Sequence, residues 1–264
     1  VRLEEGESGM TGTSPWMKRG AIAATVLVLL VLPLVLPAFR VGQITKWIPL
    51  ALAAMGLNLL TGYNGQISVG HGALYGLGAY ATALTVTEWG VPYLVAILLS
   101  AVVCFVAGVL VGLPALRIKG LYLALVTLAV ATLFPQLIEQ FASVTGGSTG
   151  LSVTSEQFVR GKLRPSPVRF DPPEWTGLAK DQWKYYWFLA VAGVCVLVVA
   201  NLVRSRVGRS MIAIRDNEVA AEVNGVNVSA VKVFTFGISA ALAGVGGALL
   251  ALSDAFVSSL SFTV

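Results

Sequence analysis

The chain is short of the residues that usually perform chemistry. It has one histidine, His71, and two cysteines, Cys104 and Cys195, among 264 residues. A single His with no flanking carboxylate pair or Cys cannot build a multi-His metal site, so neither a metal nor a cofactor is expected. Both cysteines lie in the middle of apolar runs and read as small buried hydrophobes rather than as a disulfide. The sequence contains no CxxC pair and no GxxxxGK[ST] loop. Without the last of these the chain cannot use ATP by the P-loop route. Charge is scarce too: 12% of residues are Asp, Glu, Lys or Arg, against about 25% in a soluble domain. Almost no charge falls inside an apolar run, and Glu139 comes nearest. That leaves little for a proton- or sodium-coupled carrier to work with. The net charge of +5 does not point to nucleic acid, because the basic residues sit at the ends of apolar runs rather than along one stripe.

Apolar sequence dominates instead, at 56% of residues. Its segmentation predicts an all-α integral membrane protein embedded in the lipid bilayer. About seven transmembrane helices are expected, over 20–39, 46–61, 66–85, 93–116, 120–142, 185–203 and 230–253. Residues 1–18 read as a polar cytoplasmic tail ending in the interfacial anchor Trp16, Lys18 and Arg19. Residues 19–253 form the membrane domain, with 41–45 as a short connection. The first apolar run is too long for a signal peptide, carries Pro33 and Pro37, and lacks a small-residue cleavage site. Pro135 is expected to kink the fifth span.

Gly62, Gly65, Gly70, Gly72, Gly76 and Gly78 make the densest small-residue stretch. Each Gly weakens a helix by roughly 1 kcal/mol relative to Ala. A turn or broken helix is therefore expected to enter the third span, held by close packing against its neighbours. The long polar segment 143–184 is read as an external loop. Basic residues concentrate in the tail, at Arg117 and Lys119, and at 204–229, which places the N-terminus in the cytoplasm. Residues 254–264 are too few for a further span.

The odd polar island is Arg204–Val228. Its apolar residues fall at 207, 211 and 214 and again at 219, 223 and 226, giving two short faces rather than one stripe. Asn224-Gly225 is a plausible stop. On physical grounds two readings stay open. One is a cytoplasmic helix docking onto another protein. The other is an amphipathic helix lying on lipid, which the basic residues suit and Asp216, Glu218 and Glu222 do not.

The run GRSMIAIRDNEVAAEVNGV, with LTGYNGQISVGHGALYGLGAYATA, RIKGLYLALVTLAVATLF and VTGGSTGL, resembles the branched-chain amino-acid (LivM-type) permeases of ABC importers. The resemblance covers about Leu57 to Ser253. It places a coupling-loop motif at Glu218, Ala220, Ala221 and Gly225, with Val219 separating the Glu from the Ala pair. It implies contact with the ATPases through Arg209, Arg215, Asp216, Glu218, Ala220, Ala221 and Gly225. The implied partners are two cytoplasmic ABC ATPase subunits, a second homologous permease and an extracytoplasmic solute-binding protein. The implied location is the bacterial cytoplasmic membrane. The implied cargo is Leu, Ile or Val, and hydrolysis belongs to the ATPases, so this chain is not itself an enzyme. Gln66, Ser68, His71 and Thr127 are candidates for the translocation path; their plain alternative is interhelical hydrogen bonding. Family members continue beyond the seventh span, so the chain reads as a C-terminally shortened permease. A urea or short-amide importer permease is the nearest rival. A stand-alone channel, a secondary carrier or a structural subunit is more distant.

Overall fold

The computed structural model describes residues 15–115, 121–153, 157–159, 162–164, 172–258 and 262. The expected tail up to residue 14, the Arg117 and Lys119 exit and much of the 143–184 loop lie outside these residues. The described chain is mostly helical. Its elements are α1 (Pro15–Val35), α2 (Ala38–Asn58, continued by a π-helical turn, Leu59–Tyr63), α3 (His71–Trp89), α4 (Tyr93–Ala115), α5 (Leu121–Gln140) and the single turn α6 (Ala142–Thr145). They are followed by α7 (Lys180–Arg204), α8 (Arg206–Asp216), α9 (Glu218–Val223) and α10 (Val228–Asp254). Strands are vestigial. β1 (Leu151–Ser152) pairs antiparallel with β4 (Phe256–Val257), and β2 (Gln157–Val159) with β3 (Lys162–Arg164).

Among the described residues, five helical stretches are long and apolar enough to cross a membrane: Ala38–Tyr63, Tyr93–Pro114, Tyr122–Gln140, Lys180–Arg204 and Val228–Asp254. The apolar part of α1, Gly20–Val35, is shorter, and the Gly-rich α3 does not reach that measure.

Helices α1, α2 and α7 start earlier than the apolar pattern suggests. Helix α2 runs straight through 41–45, which the sequence reads as a connection. Pro37 precedes it in an extended conformation (φ −63°, ψ 150°). Thr45 is accommodated because its hydroxyl donates to Val41 O at 2.7 Å. Helix α7 begins at Lys180 rather than 185 because its polar first turn is paired. Gln182 Oε1 accepts from Ala179 N at 3.1 Å, and Gln182 Nε2 donates to Pro33 O of α1 at 2.9 Å. Residues 15–18, expected in the tail, already belong to α1.

The core is built around α10, which packs on α2, α3 and α4. Its small residues allow this. A Cβ on Gly78 of α3 would collide with Gly244 of α10, and one on Gly108 of α4 with Ala240. At such approaches backbone and short hydroxyls meet across helices. Ser100 Oγ of α4 lies 3.0 Å from both Gly78 O and Gly244 O. Ser239 Oγ of α10 donates to Gly56 O of α2 at 2.7 Å.

The helices alternate in direction, so their ends gather at two poles. At one pole Lys46 Nζ pairs with Asp254 Oδ1 at 2.8 Å, and Lys184 Nζ donates to Ser253 O at 2.7 Å. At the other pole the turn that ends α2 meets α8, and α9 meets the start of α10.

Candidate functional site

The polar island folds as two short helices, not the single helix that the sequence suggests. Asn217 separates them in an extended conformation (φ −158°, ψ 106°). Its side chain accepts from Ala220 N at 3.0 Å and so caps α9. Asn is among the strongest N-caps, which explains why the chain restarts here rather than continuing. Ser205 caps α8, accepting from Val207 N at 3.1 Å. Asn227 caps α10, accepting from Ala230 N at 3.0 Å. The expected stop is present. Gly225 takes the left-handed conformation (φ 82°), and Val226 N returns to Ala221 O at 3.1 Å.

The two apolar faces end differently. Met211 and Ile214 of α8 are buried against the body. On α9 only Ala221 is buried, whereas Val219 and Val223 are 68% and 82% exposed. These two stand four residues apart, one above the other on the helix surface. Ala220 and Gly225 are also exposed, and open space surrounds Gly225.

The charged candidates divide in the same way. Arg209 is exposed, with Nη1 on Arg204 O at 3.3 Å. Arg215 is exposed too, yet it reaches across the surface to the body. Its Nη1 donates to Gly62 O at 2.9 Å, while Nε and Nη2 reach Asp216 Oδ1 at 3.1 and 3.0 Å. Its aliphatic stem covers Gly65, which is left-handed (φ 70°). Glu218 pairs with Lys232 Nζ of α10 at 2.8 Å, and Lys232 is buried. Arg215 and Glu218 therefore hold the α8–α9 unit to the body. Lys232 escapes the sequence reading because it looks like an ordinary charge at the mouth of an apolar span.

Arg215 also leads to the second candidate group. Past Gly65 the chain runs non-helically to α3. Burial alternates along 64–69: Asn64, Gln66 and Ser68 are inside, while Gly65, Ile67 and Val69 are outside. A half-buried strand in water shows the opposite pattern, with apolar residues in and polar residues out. The segment is pinned to α5, where Thr127 Oγ1 accepts from Val69 N and donates to Ala124 O, both at 3.0 Å. A Cβ on Gly70 would collide with Thr127 O. His71 then opens α3, buried beside Gly56 of α2. Its ring lies near the Ala53 backbone of α2 without closing a hydrogen bond of good geometry.

Gln66, Ser68, His71 and Thr127 are thus brought to one region. Thr127 has its hydrogen bonds filled. The other three carry side-chain atoms with no partner within the chain.

A family model described as the branched-chain amino acid transport system / permease component matches residues 39–264. Among curated proteins, the chain is 31% identical over 226 residues to the high-affinity branched-chain amino acid transport system permease protein LivM of Salmonella typhimurium, covering 80% of this chain and 52% of that protein. It is 31% identical over 221 residues to the protein of the same name from Escherichia coli, again 80% and 52%. A probable branched-chain amino acid transport permease protein LivM of Methanocaldococcus jannaschii is 25% identical over 171 residues, covering 64% and 45%. The chain spans about half the length of the curated relatives it matches. No solved structure matches it.

Proposed function

The chain belongs to the family of branched-chain amino acid transport permease components, and from that membership we propose that it is a membrane-spanning permease subunit of an ATP-binding-cassette importer. Its cargo is Leu, Ile or Val, delivered by an extracytoplasmic binding protein. Two cytoplasmic ATPase subunits dock on α8–α9 and drive the cycle, and a second homologous permease completes the membrane core. The protein sits in the bacterial cytoplasmic membrane with its N-terminus inside. In this topology α1 and α3 count as spans beside the five long apolar helices. The Arg215 pole then faces the cytoplasm and the Asp254 pole faces outward.

The observation that carries this reading is the exposure of Val219 and Val223 on a helix that is otherwise fixed. Ala221 is buried beneath it, Asn217 caps its start, and Glu218 anchors it to α10. An exposed apolar pair on an immobilised helix suits insertion into a groove of another protein. The lipid-surface alternative is weaker, because Glu222 and Asp216 flank the pair and would repel anionic headgroups.

The test is site-specific crosslinking from Val219→Cys and Val223→Cys in membranes that hold the co-purifying ATPases. Crosslinks to an ATPase subunit are expected, and crosslinks to lipid alone overturn the docking assignment. Uptake assays with Leu, Ile, Val, urea and short amides then identify the cargo. Preference for urea or an amide would replace the branched-chain reading.

A further inference from the structure

Buried side-chain polar atoms are nearly always hydrogen-bonded in a folded protein. Most of those described here are: Thr45, Thr87, Ser100, Thr127, Thr145, Lys232, Thr235 and Ser239 all have partners. The exceptions are not scattered. Among the described residues, nine buried side-chain atoms lack a partner, and all belong to Asn64, Gln66, Ser68, His71, Tyr75, Tyr80 and Thr82. One stretch of nineteen residues holds the whole deficit.

Their placement is ordered. Asn64, Gln66 and Ser68 share the inward side of the extended segment. On α3, His71, Tyr75 and Thr82 stand at i, i+4 and i+11, within about 40° of one another around the helix. Only Tyr80 departs, lying on the far side against Phe134. From His71 to Thr82 the stripe rises about 16 Å, and the extended segment adds up to about 23 Å of chain. That contour is long enough for the ~30 Å hydrocarbon layer. Three glycines stand against it. His71 faces Gly56 of α2, and Tyr75 faces Gly246 and Gly247 of α10. A Cβ on Gly247 would collide with the Tyr75 carbonyl, so the two helices are closed on each other here.

We propose that Asn64, Gln66, Ser68, His71, Tyr75 and Thr82 form one polar file along the inner side of the 64–70 segment and α3, and that this file is the hydrated wall past which a small zwitterionic solute moves. This rests on the transporter reading and deepens it. The sequence offers only Gln66, Ser68, His71 and Thr127 for this role. The file adds Asn64, Tyr75 and Thr82 and makes Thr127 a positioning residue, because its hydroxyl is already used to hold Val69. Non-helical backbone and unpaired polar groups at membrane depth persist where they line a water-filled cavity. The file is shut in this structure, and opening it requires α10 to withdraw from α3.

The test uses the full chain in its membrane. With Cys104→Ala and Cys195→Ala as background, single cysteines Ser68→Cys and Thr82→Cys are exposed to a charged, membrane-impermeant methanethiosulfonate in right-side-out and inverted vesicles. The reference is Ala96→Cys, buried in apolar packing. Because the hydrated thiolate is the reacting species, both file positions should react at least about tenfold faster than the reference in one or other vesicle orientation. Equal, slow reaction at all three positions overturns the file. Thr82→Val and Thr82→Ser separate function from folding. With normal membrane levels, uptake should fall about tenfold in the Val variant, as for loss of one ordinary hydrogen bond to the moving solute, and survive in the Ser variant. Full uptake by the Val variant overturns the assignment of Thr82. If the parent chain imports no branched-chain amino acid, the cargo reading fails, and the labelling still decides the file.

Discussion

Lys232 of α10 holds Glu218 of α9 at 2.8 Å, with the Lys side chain 10% and the Glu side chain 29% accessible. The pair joins the short exposed helix to the helix at the centre of the core. Removing one partner leaves a stranded charge at a half-buried site, at a cost below the roughly 3–5 kcal/mol of a fully buried pair, whereas replacing both by apolar groups can be nearly neutral. Glu218→Gln and Lys232→Met should therefore each lower uptake and thermal stability in detergent. Glu218→Leu with Lys232→Met should recover stability and not uptake. Recovery of both would show that the link plays no part in coupling.

Arg215 and Gly65 provide the second link. A methyl group on Gly65 would lie 3.0 Å from Arg215 Cγ, on a left-handed backbone (φ 70°). Left-handed backbone costs an L-residue about 1–2 kcal/mol. Gly65→Ala should loosen α8, seen as faster proteolysis at 206–225 in inverted vesicles. Arg215→Lys should do the same, since an ammonium cannot reproduce the forked contacts to Gly62 O and Asp216.

Two glycines with different surroundings give a paired prediction. Gly78→Ala drives a methyl into Gly244 and should cost about 1–3 kcal/mol by overpacking. Gly193→Ala meets nothing within 4 Å in the middle of α7 and should be neutral or stabilising, by up to about 1 kcal/mol from helix propensity. Thermal unfolding of the detergent-solubilised chain reads both, and equal effects would contradict the packing.

Ser100 lies within hydrogen-bond reach of Gly78 O and Gly244 O. Interhelical hydrogen bonds in membranes average about 0.6 kcal/mol, so Ser100→Ala should cost on the order of 1 kcal/mol with no change in cargo preference. Uptake competition alongside thermal unfolding checks both halves.

Much of this fold is legible in the sequence because lipid permits few solutions: a long uncharged run must be a helix with its own backbone bonds satisfied. Helix ends are less legible because they depend on partners. Helix α7 extends to Lys180 through contacts that Gln182 and Lys184 make with distant carbonyls. The break at Asn217 has a local signal, the phase change between the 207–214 and 219–226 apolar sets, and the cap supplies its cause. The dense glycines advertise the unusual segment at 62–78, and Gln66, Ser68 and His71 can be picked from it by type. Tyr75 and Thr82 cannot, since either could be an ordinary helix residue until its neighbours are known to offer no partner. The contacts of Arg215 and Glu218 within the chain are hidden for the same reason. Both look like unattached surface charges, and each is held by a contact to another element, Gly62 O for Arg215 and Lys232 for Glu218.

The joint at Asn217 has a mechanical consequence. Helices α8 and α9 are each capped at the start, and at about 1.5 Å per residue they are rigid bars of roughly 16 and 9 Å. One bar is fastened to the Gly62–Gly65 turn and packs Met211 and Ile214 on the body, the other is tied to α10, and the single residue Asn217 joins them. Bars this short offer little length over which a sideways push on Val219 or Val223 could be taken up by bending. On the docking reading proposed above, such a push would reach the 62–65 turn through Arg215 and α10 through Glu218 and Lys232, the two elements that flank the proposed polar file.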